Sequence, residues 1–226
     1  MCGRYNIITD AQALYDAYQV DAGLVEGGLA RYNVAPGTEQ LVIVAEDGRR
    51  VARWHRWGLI PHWAKDAAIG YKTINARGEN AAAKPAFRAA FRQRRCLVPA
   101  SGFYEWKAEG GGKQPYLIRE KRGGLISFAG LWETWAGPEG ELRAFSIITT
   151  EPNELLARIY DRMPAIVRRE HYARWLDPVL QDPAQIQAMI ASYPAGELEA
   201  IPVGRQINNA RNEGPELIAP LGAPLD

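Results

Sequence analysis

Short apolar runs with the spacing of β-strands dominate this chain. Leu41–Ala45, Val51–Trp57, Cys96–Val98, Tyr116–Arg119, Leu125–Leu131 and Ala144–Thr149 are rich in Val, Ile, Leu and aromatic residues and lie between Gly, Pro and Asp punctuation, so each is expected as a strand. Asp47-Gly48 predicts a hairpin turn, and Gly110-Gly111-Gly112 an exposed loop tip between two strands. Helical signals are fewer. Thr9 or Asp10 can cap a helix through Tyr18, and 81–94 places Phe87 and Phe91 one turn apart, with Pro85 marking where the regular helix starts. Pro152 and Asp182-Pro183 are first-turn signals for helices through Ile159 and Ala191. Strands before and after each helix, without regular β-α-β alternation, predict an α+β fold: a single domain on a largely antiparallel, barrel-like sheet with flanking helices.

Composition narrows the function classes. The 226 residues suit one domain spanning 1–226, with an extended tail from about 213. Lys plus Arg (27) nearly balances Asp plus Glu (26), so a polyanion site would have to be a local patch. With no apolar run approaching ~18 residues, no membrane partner is expected, and with no leader the expected location is cytoplasmic. Two cysteines (Cys2, Cys96) and three histidines (His55, His62, His171) show no metal-binding spacing, so neither a metal nor another cofactor is expected. Cys96 opens an apolar run and reads as a small core residue.

Chemistry concentrates at the start. Removal of Met1 from Met1-Cys2-Gly3-Arg4-Tyr5 would leave an amine and a thiol on adjacent carbons of Cys2. The amine titrates near ~7.7 to 8 and the thiol near ~8.5, so both are expected to be partly nucleophilic at neutral pH without help. Such a pair traps aldehydes: the amine forms a Schiff base and the sulfur closes a thiazolidine ring. Elsewhere, Arg88, Arg92, Arg94 and Arg95, with Lys84, carry no acid among them. On a helix, 88, 92 and 95 would share one face, and a solvated amphipathic face is the expectation. Trp54, Trp57 and Trp63 interleave with Arg53, Arg56 and Lys65, a mixture suited to unstacked bases, although alternation from 51 to 57 can point only one face outward. Asn75 and Arg77 lie on one side of an extended segment, suited to a small group and its adjacent phosphate. Glu105 sits among Phe103, Tyr104 and Trp106, surroundings that favour its protonated form, while spacing alone points it to solvent. Tyr160-Asp161-Arg162-Met163-Pro164 reads as a helix stop or an anion-binding corner.

Taken in order, Cys2-Gly3-Arg4-Tyr5, Arg31-Tyr32-Asn33-Val34-Ala35-Pro36-Gly37, Trp57-Gly58-Leu59-Ile60-Pro61, Ile74-Asn75-Ala76-Arg77, Phe103-Tyr104-Glu105-Trp106-Lys107 and Asp161-Arg162-Met163-Pro164 resemble the SRAP family, the SOS-response-associated peptidase-like proteins that shield abasic sites. Asn208–Leu217 also looks like that family's end. The resemblance implies binding of single-stranded DNA at an abasic site and a covalent thiazolidine crosslink through Cys2. By similarity, Asn75 would orient the sugar, Arg4 and Arg77 would grip flanking phosphates, and Glu105 would shuttle protons. Asn33 and Pro36 would shape the pocket, Trp63 would stack on bases, and Arg162 would meet a phosphate. It further implies a monomer, nucleoid-associated when on DNA, with replication-fork proteins as possible partners.

One departure stands out. Where the family usually has His-Asp-Arg, this chain has Tyr160-Asp161-Arg162. A phenol of pKa ~10 is a poor proton shuttle at pH 7 beside an imidazole near ~6.5, so crosslinking that is slower, or less readily reversed, is expected. Two rival readings remain: the Met1-Cys2-Gly3 start also looks like class II glutamine amidotransferases, hydrolases with Cys2 as nucleophile, a reading that gives the arginine and tryptophan segments no role, and the chain could be a non-covalent single-stranded DNA-binding module.

Overall fold

The computed structural model describes residues 2–20, 28–191 and 193–225. From the start of the chain, β1 (Tyr5–Thr9) leads into α1 (Ala11–Tyr18), whose first turn is capped by Asp10 accepting from the Ala13 amide at 2.7 Å. After β2 (Leu29–Val34), β3 (Glu39–Glu46) and β4 (Arg49–Trp57) form a hairpin. Its turn residues Asp47 and Gly48 both have positive φ, 49° and 75°, as a type I′ turn requires. A long excursion then returns as β5 (Asn75–Arg77), followed by α2 (Gly78–Ala81) and α3 (Arg88–Gln93). The regular helix expected from Pro85 starts only at Arg88, and α2 precedes it as a separate turn, Pro85 having no amide to continue the backbone hydrogen-bond ladder.

β6 (Arg95–Ala100), β7 (Gly102–Glu109), β8 (Gly112–Glu120), β9 (Ile126–Gly137) and β10 (Gly140–Thr150) come in succession. α4 (Glu154–Ala157), β11 (Met163–Pro164), α5 (Tyr172–Leu176), α6 (Pro183–Ala188) and β12 (Leu198–Pro202) complete the fold. α4 is a single turn starting after Asn153, not Pro152, because the Asn153 side chain caps the Leu156 amide at 2.9 Å.

Two sheets result. β10-β4-β3-β6-β9 close on themselves through the β9–β10 hairpin, giving a five-stranded barrel to which β5 and β11 add. β12-β8-β7-β1-β2 form a second, wholly antiparallel sheet. The α+β, barrel-like, largely antiparallel expectation holds; β4–β10 and β5–β10 are parallel pairings within it.

Alternation along the strands decides which core each residue joins. Val42 and Val44 of β3 join Trp57, Val98, Phe128 and Phe145 against Tyr5, Ile7, Phe103 and Ile118 of the second sheet. Leu41 and Ile43, one residue out of phase, face the helices and pack with Leu14, Tyr18, Phe91, Tyr172 and Trp175. Each such large side chain stabilises by ~1.5–3 kcal/mol on burial. The same alternation buries Trp57 and leaves Trp54 exposed. Cys96 is a fully buried free thiol, as expected, and packs where a Cβ on Gly130 would come within 2.5 Å of its sulfur.

Arg95 does not share the exposed face of Arg88 and Arg92. The helix stops at Gln93, and Arg95 enters β6, where it is buried and donates to the carbonyls of Phe91, Arg92, Trp175, Leu180 and Asp177. Chain direction, invisible to a helical projection, turns this cation into a staple for α3 and α5. The tail beyond Asn212 contains a turn of 3-10 helix at Pro215–Ile218 that buries Leu217.

Candidate active site

Cys2 stands just before β1 and is fully buried in the core between the two sheets. Its sulfur accepts from the Arg4 amide. Burial, reinforced by the nearby Glu105 carboxylate, pushes the thiol well above its ordinary range. Burial thus disfavours the thiolate of this thiol, and a neighbouring proton acceptor would favour it.

Glu105 is placed to be one. It lies on β7 next to β1, buried rather than pointing to solvent. Its two flanking strands and the aromatic neighbours strip it of water, and burial, aided by the Asp161 charge, raises its pKa to about 8. At pH 7 the protonated acid predominates, yet the carboxylate is within reach of a modest change in pH. Glu105, Trp106, Lys113, Tyr160 and Asn208 line a cavity of about 470 Å³ open to solvent. Tyr160 follows α4, and burial together with the Asp161 and Glu105 charges raises its hydroxyl pKa, leaving it a proton donor.

Several of the predicted contact residues hold the protein together. Arg4 Nη1 donates to Asn33 Oδ1 at 2.6 Å and to the Ile207 carbonyl at 2.8 Å. Asn33, buried on β2, uses its amide to hold the carbonyls of Asn209 (3.0 Å) and Asn212 (2.9 Å). Arg4 and Asn33 thus strap the 207–212 segment across the start of the chain. Pro36 shapes the turn into β3, where Gly37 with φ 85° donates to the Trp57 carbonyl at 2.8 Å.

Asn75 and Arg77 project from β5, which runs parallel to β10. Asn75 Nδ2 donates to the Ile147 carbonyl at 3.4 Å, while its Oδ1 is buried with no partner among the described residues. A buried amide oxygen left unpaired is costly, and a ligand hydroxyl or amine would satisfy it. Arg77 is exposed, whereas Arg162 is engaged: it grips Glu79 with two bonds of 2.7 and 2.9 Å and donates to the Thr149 carbonyl at 2.8 Å. That pairing is the first cause of the lowered Glu79 pKa, with Arg77 contributing.

Trp63 rides on the excursion between β4 and β5 and is 52% exposed. Gly58 (φ 130°) and Gly70 clamp this loop back to back, since a Cβ on Gly58 would meet the Gly70 carbonyl oxygen at 2.7 Å. The structure brings Cys2, Glu105 and Tyr160 together and Asn75, Arg77 and Arg162 along β5 and β10, with Trp63 on its own loop. Sequence reasoning did not single out Asn208, whose Oδ1 accepts from Trp106 Nε1 at 2.7 Å, nor Lys113; nothing local marks either as lining a cavity.

A buried start to β1 thus lies near a buried carboxyl whose pKa is raised, within the barrel and its second sheet. The chain belongs to the SRAP family: the family model described as SOS response associated peptidase (SRAP) matches residues 1–210. Among its relatives, the abasic site processing protein YoqW of Bacillus subtilis (strain 168) is 42% identical over 221 residues, covering 96% of this chain and 99% of that protein. The abasic site processing protein YedK of Escherichia coli (strain K12) is 31% identical, covering 98% and 100%. HMCES of Gallus gallus, also named an abasic site processing protein, is 35% identical over 80% of this chain and 62% of its own length. The crystal structure of a protein from Bacteroides thetaiotaomicron superposes with a TM-score of 0.84 at 29% identity, covering 96% of this chain and 98% of that one.

Proposed function

We propose that this protein processes abasic sites in single-stranded DNA by forming a thiazolidine crosslink through Cys2 once Met1 has been removed. The observation that carries this reading is the buried Cys2 thiol within the electrostatic reach of Glu105, a carboxyl that lines an open cavity.

An abasic sugar exists as a closed hemiacetal in equilibrium with an aldehyde. Protonated Glu105 is suited to give a proton to the departing oxygen in sugar opening and carbinolamine dehydration. The Cys2 amine adds to the aldehyde carbon, and water leaves to give an imine. The sulfur then adds to that same carbon, its proton passing by way of the Glu105 carboxylate to the nitrogen, and the five-membered ring closes. Asn75 Oδ1 is available to accept from the sugar or the amine, and Arg77 is free to meet a phosphate. Tyr160 donates a hydrogen bond but does not shuttle protons as imidazole would. Trp63 supplies an exposed face for a neighbouring base. A monomer acting on single strands at replication, and nucleoid-associated through its DNA, fits this chemistry.

The test is to mix the protein, with Met1 removal verified by intact mass, with an oligonucleotide bearing one abasic position and to look for a conjugate that survives denaturing electrophoresis. Cys2→Ala should give none, and Cys2→Ser at most a labile imine. A conjugate formed equally well by Cys2→Ala overturns the proposal; ammonia release from glutamine would point to the amidotransferase chemistry instead, and salt-sensitive binding without conjugate to a purely non-covalent module.

A further inference from the structure

We propose that Lys113 and Arg205 form a phosphate-binding lip on the Trp106–Asn208 rim of the cavity, taking the backbone phosphates of the strand as it leaves the abasic nucleotide. This rests on the abasic-site reading of the cavity and adds two phosphate contacts beyond the residues named for it above.

The geometry is specific. The β7–β8 hairpin turns through Gly110 and Gly111, with φ of 56° and 80°, so that Glu109 pairs with Gly112 and Lys113 returns beside the cavity. Arg205 comes to the same hairpin from the C-terminal segment: a Cβ on Gly112 would lie 3.5 Å from Arg205 Nη2. Arg205 opens the 3-10 turn Arg205–Asn208, and Asn208 at its end is fixed to the indole of Trp106. Two strands and one turn therefore bring Lys113 and Trp106 to the cavity and Arg205 to the residue beside Lys113.

Both cations are exposed, and neither has a carboxylate partner among the described residues. Their neighbours differ. Lys107 on the same hairpin is paired with Glu109 at 2.7 Å, and Arg162 is paired with Glu79 at 2.7 Å. Arg4 is committed to Asn33 and Ile207. Lys113 also reaches the chemistry electrostatically, since its charge lowers the pKa of Glu105 against the effect of burial. Two cations at one end of the hairpin, with no carboxylate partner among the described residues, would be stabilised by the phosphodiesters of a strand passing that end.

The experiment uses fluorescence anisotropy with a single strand carrying a tetrahydrofuran abasic analogue, which has no aldehyde and so reads binding without the covalent step. Lys113→Gln combined with Arg205→Gln should lower the slope of log affinity against log salt by about 1.4, and weaken binding roughly 10- to 30-fold at 0.1 M salt, the effect of losing two single-strand phosphate contacts. The control is Lys121→Gln with Arg122→Gln, equal in charge but beyond the far end of the nine-residue β8, roughly 25–30 Å away at a strand's rise per residue. An unchanged slope in the first variant, or an equal fall in the control, overturns the proposal. Failure of the natural protein to form a conjugate with true abasic DNA would sink the crosslinking reading while leaving this measurement intact.

Discussion

Two buried ionisable side chains, Glu105 and His55, share a cause of shifted protonation and differ in what lies beside them. Desolvation holds each in its neutral form: the Glu105 pKa rises to about 8, and that of His55 falls to about 3, with Arg143 and Arg53 adding to the effect of burial. Glu105 borders an open cavity, and its charge is felt by the Cys2 thiol. His55 packs against Trp132, ring centroids 5.3 Å apart, and neither ring nitrogen has a hydrogen-bond partner among the described residues. The physics is shared; access distinguishes them. A shifted pKa alone marks burial, and only its conjunction with a cavity and a nucleophile marks a place where protons are moved.

The sharpest way to break this comparison is Glu105→Gln. Losing a general acid-base group should cut the crosslinking rate at least ~10²-fold. In the natural protein the rate should rise as the Cys2 amine loses its proton and fall above about pH 8 as Glu105 becomes a carboxylate; in the variant that upper limb should vanish, which a rate profile from pH 6 to 9.5 checks. The same substitution should stabilise the fold. A carboxyl with a raised folded pKa binds more protons folded than unfolded between the two values, so its contribution is full below about 4.5 and is lost as pH rises toward about 8. Denaturant titration at pH 8 should find Glu105→Gln more stable than the natural protein by ~1–3 kcal/mol.

His55 should behave in the opposite sense and without consequence for rate. Its depressed folded pKa means the unfolded chain binds the extra proton, so stability is full above about 6.5 and is lost as pH falls toward about 3. Between pH 7 and 5 the natural protein should lose ~2 kcal/mol from this group. His55→Phe should flatten that dependence while leaving crosslinking at pH 7.5 unaltered; a large fall in rate would erase the distinction between the two sites. The smallest effect is expected at the cavity's other wall, where Tyr160→His should speed crosslinking or adduct release by up to ~10-fold. Indistinguishable rates would remove position 160 from the chemistry.

Much of the barrel was legible because local alternation wrote it. The period from Val51 to Trp57 assigned one tryptophan to the core and one to the surface, and Asp47-Gly48 fixed a hairpin. The second sheet was harder to read. Its strand β1 lies between β7 and β2, pairings that link Tyr5 to Phe103 and to Val34 across long stretches of chain, and no local pattern encodes them. The burial of Glu105 follows from that arrangement, which is why spacing alone pointed it to solvent. The helical projection of 88, 92 and 95 failed for a different reason: it assumed that the helix continued. Asn33 and Arg162 were found as residues of interest, but their partners on the 209–212 segment and on Glu79 come from tertiary contacts.

The strap from Arg4 to the Ile207 carbonyl, with Asn33 holding Asn209 and Asn212, ties residue 4 to a stretch about two hundred positions later. During translation the opening residues emerge first and wait for that stretch to clear the ribosome. Until it does, the start of β1 lacks the tie that anchors it in the finished fold, so this end of the second sheet is completed only after nearly the whole chain has been made.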